Sequence, residues 1–284
     1  MKNILIPTDF SDNAWNALNY AVELFREDKC TFYLLNAFES KYFTTDSLMV
    51  PEPGEPAYDN AKNQSQFGLE HLKKKLDSGN SNHKFETISS YNTVLEAIRN
   101  SLQKLKIHLL VMGTEGKESI ENRIYGSTAL NVMEHIYTCP LLVIPDSTSL
   151  KDIEKKEIVF ATNYKYPYTR KAVRYLAEIA RKYSAAIRIL YVQEHENLNP
   201  EQQKNKEKLQ EYLKKVVHSF HTLTEIGTGE GIHSFIQSRG SHMLAISRKR
   251  HSFFYKFFSK SIIEEIGYKP QVPILILPDF NKEQ

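Results

Sequence analysis

The sequence is poor in cysteine and tryptophan, with two cysteines and one tryptophan among 284 residues. Cys30 and Cys139 stand in unrelated contexts and form no CxxC pair, which excludes a disulfide framework and favours a reducing cytoplasm. No apolar run approaches the roughly 20 residues that span a bilayer, which excludes an integral membrane protein. The N-terminus passes directly into a short strand pattern without the apolar stretch of a secretory signal, so we expect a cytoplasmic location.

Neither composition nor net charge is extreme. Hydrophobic residues make up 41% and charged residues 25% of the chain, which excludes a disordered chain, a collagen-like repeat and a coiled coil as the main architecture. The length predicts two domains. Residues 1–150 hold 14 basic and 19 acidic residues, and residues 151–284 hold 23 and 15. We therefore expect the two halves to face different partners or each other, but this charge asymmetry is too weak to indicate nucleic acid as a ligand.

The two halves repeat one pattern of short apolar strands and amphipathic helices. Residues 4–10 (ILIPTDF) and 158–164 (IVFATNY) begin the two copies, and each copy closes with proline, a short apolar strand and proline. Runs this apolar, alternating with helices, predict parallel sheets covered on both faces. We therefore predict an α/β fold of two tandem doubly wound domains, at 1–148 and 155–280, each with five parallel strands. Within them we expect, among other elements, helices at 60–77, 201–218 and 230–239, and third strands at 84–89 and 221–226.

A glycine-rich segment follows the fourth strand of the first half. Gly113, Gly116 and Gly126-Ser127 give the spacing Gly-x2-Gly-x9-Gly-Ser. Glycines allow tight turns and bring backbone N–H groups close to a ligand. Ser127 and Thr128 open the next helix, whose first N–H groups lack intrahelical partners and favour phosphate oxygens.

The ends of the first two strands face the same predicted crevice. In a doubly wound sheet the ligand lies beyond the carboxyl ends of the strands where the winding reverses. Asp9, after Pro7 and Thr8, would meet ribose hydroxyls or the edge of a base there. Ala37 leaves room for a flat ring, on which Met112 could pack.

These motifs closely resemble the universal stress protein family, over essentially the whole chain as two copies. The resemblance implies the strand order 3-2-1-4-5, pairing of the two domains through their fifth strands, and binding of ATP, or of AMP or ADP, with or without Mg²⁺. It assigns the ribose or adenine contact to Asp9, the adenine pocket to Ala37 and Met112, and the phosphates to the glycine segment. The full candidate site is Pro7, Thr8, Asp9, Ala37, Met112, Gly113, Gly116, Gly126, Ser127 and Thr128. Taken singly, each residue also has a purely structural interpretation, such as a tight turn or a helix start.

The second copy departs from this motif. Ser247, Arg250 and Lys260 stand where the first copy has its three glycines, and Asn163 replaces Asp9. We therefore predict that this copy does not bind ATP in the family manner. It is either a degenerate structural copy or, through the basic and aromatic segment 248–258, a surface for an anion, an acidic partner or a membrane.

Three other features predict little chemistry. Gly227-x-Gly229-x-Gly231 lacks the P-loop lysine, and we interpret it as a turn, with anion binding as the alternative. His218 and His221 have no acidic or cysteine companions, so no metal site is predicted. The loop 39–59 is either a flap beside the site or disordered.

The leading hypothesis is a stress-response regulatory protein that binds one adenine nucleotide in its first domain. No catalytic residues are assigned, since no P-loop lysine, water-activating base or arginine finger accompanies the motif, and hydrolysis is expected to be slow or absent. The alternatives are a nucleotide-independent scaffold that uses segment 248–258 and, with less support, a nucleotide hydrolase or transferase. A protein partner and a homodimer are left open, and neither nucleic acid nor membrane insertion is expected.

Overall fold

A computed structural model describes residues 1–39, 42–43, 48–49, 52–76, 81–114, 126–146, 148, 150, 156–193, 197–247 and 272–278. The chain divides into two compact units, Met1–Ile136 and Tyr137–Gln284. The boundary falls before the last strand of the first sequence repeat, because that strand pairs with a strand of the second unit.

The first unit is an α/β layer structure around four parallel strands. Its elements are β1 (Lys2–Pro7), α1 (Asp12–Leu24), β2 (Cys30–Phe38), β3 (Tyr42–Phe43), β4 (Leu48–Met49), α2 (Pro56–Leu76), β5 (His83–Tyr91), α3 (Val94–Lys104), β6 (Leu109–Gly113) and α4 (Ser127–His135). The parallel strands lie in the order β6-β1-β2-β5, with Ile4 beside Phe32 and Leu109. The short strands β3 and β4 pair with each other inside the predicted loop 39–59. The predicted end of this loop is wrong, because residues 56–59 already belong to α2. Residues 40–41, 44–47 and 50–51 of the loop lie outside the described residues.

The second unit repeats the arrangement and adds one strand. Its elements are β7 (Leu141–Ile144), β8 (Glu157–Ala161), α5 (Arg170–Lys182), β9 (Ala186–Val192), α6 (Pro200–Leu213), β10 (His218–Leu223), α7 (Thr228–Arg239), β11 (Met243–Ser247) and β12 (Ile274–Leu277). Strands β10-β9-β8-β11-β12 are parallel and follow the order 3-2-1-4-5. Strand β12 also pairs antiparallel with β7, with Ile274 opposite Val143. The two fifth strands of the repeat therefore pair within this unit.

The central strands form the core of each unit. Ile4, Leu5 and Ile6 in β1 are fully buried, and β8 and β11 are buried almost as completely. Strands buried on both faces are those of a sheet with helices on either side. The predicted α/β fold class is thereby confirmed.

Most helix starts follow local capping signals. The side chains of Ser11, Thr93 and Thr169 accept hydrogen bonds from amides of the first turns of α1, α3 and α5. Asn199 forms a full capping box with Gln202 at the start of α6. These bonds satisfy amides that would otherwise lack a partner inside the helix.

Three sequence-based boundaries in the second half are wrong. Helix α6 ends at Leu213 rather than 218, and β10 runs from His218 to Leu223 rather than over 221–226. Val216 and Val217 continue the apolar pattern of the helix, but Val217 is 73% exposed and precedes the strand. The segment 227–231, interpreted as a turn, is the cap and first turn of α7. A Cβ on Gly231 would lie 3.1 Å from side-chain atoms of Ile226 and Val192, so glycine lets the helix pack closely there.

Candidate functional site

A pocket of about 350 Å³ opens in the first unit where the carboxyl ends of β2 and β5 meet the starts of α3 and α4. This volume lies at the lower end of the range of small-molecule sites. The described residues that line it come from three chain segments: Ala37, Glu39, Asn92, Thr93, Val94, Leu95, Ser127, Thr128, Asn131 and Val132.

The pocket combines apolar side chains with polar ones. Ala37, Val94, Leu95 and Val132 supply the apolar part, and Val132 is fully buried. Hydroxyl and amide side chains just before α3 and on α4 supply much of the polar part, in which Ser127 and Asn131 lie one helical turn apart. An apolar wall beside hydroxyls and amides suits a ligand with a flat ring and a polar tail.

The start of α4 leaves its first amides without partners. The N-cap is Gly126, which has no side chain to accept a hydrogen bond, and the first turn contains no acidic residue. The first helical bond is donated by Leu130 to the carbonyl of Gly126. The amides of residues 127–129 therefore make no hydrogen bond within the described part of the chain. Among the described helices, α4 alone lacks both a capping side chain and a first-turn acid. Such an end favours an anion.

The predicted residues at the end of β1 hold the local chain together. Oδ1 of Asp9 accepts hydrogen bonds from the amide of Ser11 at 3.0 Å and from its hydroxyl at 2.5 Å. Ser11 in turn caps α1. The hydroxyl of Thr8 accepts from the amide of Phe10, and the carbonyl of Thr8 accepts from Asn36. Asp9 and Thr8 thus fix the turn that begins α1.

Of the ten residues predicted for the site, Ala37, Ser127 and Thr128 line the pocket, and Gly126 caps the adjacent helix. Pro7, Thr8, Asp9, Met112 and Gly113 are not among its described lining residues. A Cβ on Gly113 would lie 2.5 Å from Oδ1 of Asn13, so this glycine admits the close approach of α1 to β6. Met112 is buried in β6. Gly116 lies outside the described residues.

Sequence reasoning missed the α3 side of the pocket. Asn92 and Thr93 follow β5, and Glu39 follows β2. Their signal was topological: the carboxyl ends of parallel strands share one edge of a sheet. Thr93, followed three residues later by Glu96, also marks a helix start in the sequence.

In the second unit, side chains fill the carboxyl end of β8, which corresponds to the end of β1 in the first unit. Tyr168 is buried, and its hydroxyl hydrogen-bonds the hydroxyl of Thr162, which also accepts from the amide of Tyr164. From α6, Gln202 and Asn205 donate to the carbonyls of Asn163 and Tyr164. Burial raises the pKa of both tyrosines, so their hydroxyls stay protonated. The basic and aromatic segment 248–258, which contains Arg250, lies outside the described residues. Lys260 lies outside them as well.

A charged cluster lies at the opposite, amino end of β8. Glu157 binds Arg239 through both carboxylate oxygens, at 2.7 and 2.8 Å, and binds Arg188 at 2.5–2.7 Å. The hydrogen bonds from Arg239, aided by those from Arg188, lower the pKa of Glu157 to about 2. Arg188 also donates to Ser219, whose hydroxyl contacts His221. Burial, followed by the two arginines, lowers the pKa of His221.

The described residues contain neither a metal-binding cluster nor a helix that could span a membrane. No group of three or more His, Cys, Asp or Glu side chains there is placed to hold a metal ion. No described helix has the length and apolar character required to cross a membrane.

Comparison with known proteins places the chain in a family. A model of the universal stress protein family matches residues 1–145. The chain belongs to the universal stress protein family. Membership assigns this universal stress protein to the stress-response proteins. It agrees with the resemblance between the glycine spacing of the chain and the motif of this family.

Named relatives of this universal stress protein match about half of it. Universal stress protein MJ0531 of Methanocaldococcus jannaschii is 29% identical over 147 residues, which cover 50% of this chain and 81% of the relative. Universal stress protein YxiE of Bacillus subtilis is 27% identical over 148 residues, which cover 50% of this chain and 98% of the relative.

Solved structures match the whole chain in fold. A universal stress protein from Archaeoglobus fulgidus aligns with a TM-score of 0.68 at 15% identity, over 99% of this chain and 97% of that one. The functionally unknown protein PA1789 from Pseudomonas aeruginosa aligns with a TM-score of 0.58 at 11% identity, over 99% and 94% of the two chains. At these identities the likeness establishes the fold alone.

Proposed function

We propose that the first unit binds ATP, or the related AMP or ADP, in the pocket between α3 and α4, with the phosphates at the first turn of α4. The observation that carries this assignment is the set of unpaired amides at residues 127–129, which begin a helix that lines a pocket. The hydroxyls of Ser127 and Thr128 are exposed at the same place and add two donors. Phosphate oxygens match such a group of donors.

The rest of the pocket fits the remainder of a nucleotide. The apolar side chains of Ala37, Val94 and Val132 suit one face of a base, and the amides of Asn92 and Asn131 can donate or accept hydrogen bonds. Glu39 is the charged residue among the described lining residues. The positive potential for the phosphates therefore comes from the helix end, with Mg²⁺ carried by the nucleotide as a further counter-charge.

One nucleotide per chain is expected. In the second copy, Ser247, Arg250 and Lys260 stand where the first copy has its three glycines, so the glycine segment assigned to the phosphates is absent there. We propose a regulatory role, in which occupancy of the first unit changes a surface that a protein partner recognises.

The amide contribution can be tested by a matched pair of variants at one position. Ser127→Pro deletes an amide donor together with the hydroxyl, whereas Ser127→Ala deletes the hydroxyl alone. Proline is tolerated at the first helical position, and Gly126, with φ −61° and ψ 151°, already has the conformation that precedes proline. The helix is therefore expected to persist, which circular dichroism would verify.

Calorimetric titration with MgATP measures the effect. A hydrogen bond to a charged group contributes about 1.5–3 kcal/mol, so Ser127→Ala should weaken binding by roughly 10-fold or more, and Ser127→Pro, which loses two such bonds, by roughly a further 10-fold or more. Nucleotide binding is contradicted if the wild-type protein does not bind MgATP. The placement of the phosphates is contradicted if Ser127→Pro binds as tightly as Ser127→Ala.

A further inference from the structure

Helix α5 of the second unit presents a basic face to solvent. At about 100° per residue, its charged side chains all fall within an arc of about 120°. Five of them are basic and one is acidic: Arg170, Lys171, Arg174, Glu178, Arg181 and Lys182. Four of the five basic residues are exposed. The opposite side of α5 is apolar and buried, with Val173, Leu176 and Ile179 at its centre. The charged arc is therefore the side of α5 that a partner can reach.

The position of these charges along the helix is unfavourable for stability. Arg170 and Lys171 lie in the first turn of α5, which contains no acidic residue. The amino end of a helix carries the positive end of its dipole, so cations there are destabilising. The guanidinium of Arg170 lies 3.6 Å from the carboxylate of Glu211, and its side chain is 78% exposed. An ion pair this exposed contributes little. The stability of the helix therefore does not account for its basic first turn.

The first copy of the repeat shows that the fold does not require a basic helix at this place. The corresponding helix, α1, has the same length and also begins at a hydroxyl cap, Ser11. It carries Asp12 in its first turn and contains neither lysine nor arginine. Charges that oppose a local rule in one copy and are absent from the other are typical of a functional surface.

The charge pattern of the face indicates which partner fits it. Three of its five cations are arginines, whose planar guanidinium groups match carboxylates bidentately. Glu178 lies inside the arc, and Glu211 lies beside Arg170. These acidic side chains repel a continuous polyanion such as nucleic acid, whereas a protein can place a donor opposite each of them. The apolar side of α5 is buried and so cannot insert into a membrane.

We propose that the exposed face of α5 is a docking surface for an acidic segment of a partner protein, whose Asp or Glu side chains bind Arg174 and Arg181. These two arginines lie near the middle of the arc and are exposed. The surface belongs to the second unit, and its function does not depend on nucleotide binding by the first.

The test uses fluorescence anisotropy of a fluorescein-labelled, glutamate-rich peptide titrated with the full chain at low and at high NaCl. The variant Arg174→Glu/Arg181→Glu reverses the two central charges of the face. The control Lys62→Glu/Lys84→Glu changes the net charge by the same amount at two exposed lysines of the first unit. Glutamate has a helix propensity close to that of arginine, so α5 is expected to persist, which circular dichroism would verify. The same titrations with a labelled DNA duplex and with phosphatidylserine vesicles identify other kinds of partner.

Wild type and the lysine control should bind the peptide with similar affinity, and high salt should weaken both. The arginine variant should bind it roughly 10-fold more weakly, because two attractive contacts become repulsive. No binding by wild type at low salt, or an equal loss in both variants, would refute the docking surface. Tighter binding of DNA or vesicles through the same two arginines would assign the face to a different partner and overturn the proposal. A dimer of wild type in sedimentation that becomes a monomer in the arginine variant would assign it to a second copy of the chain, with the same consequence.

Discussion

The ion cluster around Glu157 allows a quantitative prediction about stability. Glu157→Gln keeps the shape of the side chain but removes the charge that binds Arg188 and Arg239. Lowering a carboxyl pKa from 4.5 to about 2 corresponds to at most about 3.4 kcal/mol of stability at neutral pH. Arg239 is 34% exposed, and solvent screening reduces this figure to about 2 kcal/mol.

The sign of the pH dependence follows from the direction of the shift. Because the folded-state pKa of Glu157 lies below its unfolded value, the stabilisation is complete above about pH 4.5 and disappears as the pH falls towards 2. The difference between wild type and Glu157→Gln should therefore be about 2 kcal/mol at pH 7 and should shrink steadily below pH 4.5.

Urea unfolding followed by far-ultraviolet circular dichroism, at pH 7, 4 and 3, measures this difference. Glu207→Gln is the matched control, since Glu207 is exposed on α6 and its side chain accepts a hydrogen bond from Gln203; its stability should stay within about 0.5 kcal/mol of wild type. Equal stability of Glu157→Gln and wild type at pH 7, or a difference that does not change with pH, would refute the electrostatic reasoning.

Two further substitutions test packing. Gly68→Ala should destabilise the protein by about 1–2 kcal/mol despite the higher helix propensity of alanine, because the new Cβ would lie 2.5–2.8 Å from ring atoms of Phe10. Chemical denaturation measures this loss, with Gln64→Ala on the exposed side of α2 as the control. A gain in stability would contradict the prediction. Tyr168→Phe should cost about 1–2 kcal/mol, because it removes the buried hydroxyl bonded to Thr162. Denaturation of Tyr166→Phe, in the same loop, should show a smaller change, and an equal loss in both would argue against that bond.

Periodicity and local signals predicted much of the fold. Continuous apolar runs such as 109–112 and 243–246 marked strands buried on both faces, and Ser127 and Thr128 marked the start of a helix. The end of α6 was not predictable from the pattern, because Val216 and Val217 extend a helical spacing that the chain does not follow. The pairing of His218 with Ile187 fixes the start of β10, and such long-range pairing is absent from a local pattern.

The candidate site was only partly predictable from the sequence, because some of its residues come together only through the long-range pairing of strands. The glycine spacing indicated the start of α4, since helix ends follow local sequence. Glu39 and Asn92 lie on different chain segments, and only the order of the strands brings them to one pocket. Asp9 was predicted from its position to contact a ligand, and this contact stays a prediction; in the structure its Oδ1 accepts two hydrogen bonds from Ser11 within the same turn.

Hydrogen–deuterium exchange with saturating MgATP tests the central claim most directly, because it measures the amides assigned to the phosphates. The start of α7 provides an internal comparison, since its N-cap Gly227 also lacks a capping side chain while Glu230 occupies its first turn. Nucleotide binding in the first unit predicts slower exchange at residues 127–129 and unchanged exchange at 227–231. Unchanged exchange at 127–129 with MgATP in excess, or protection confined to 227–231, would contradict the account.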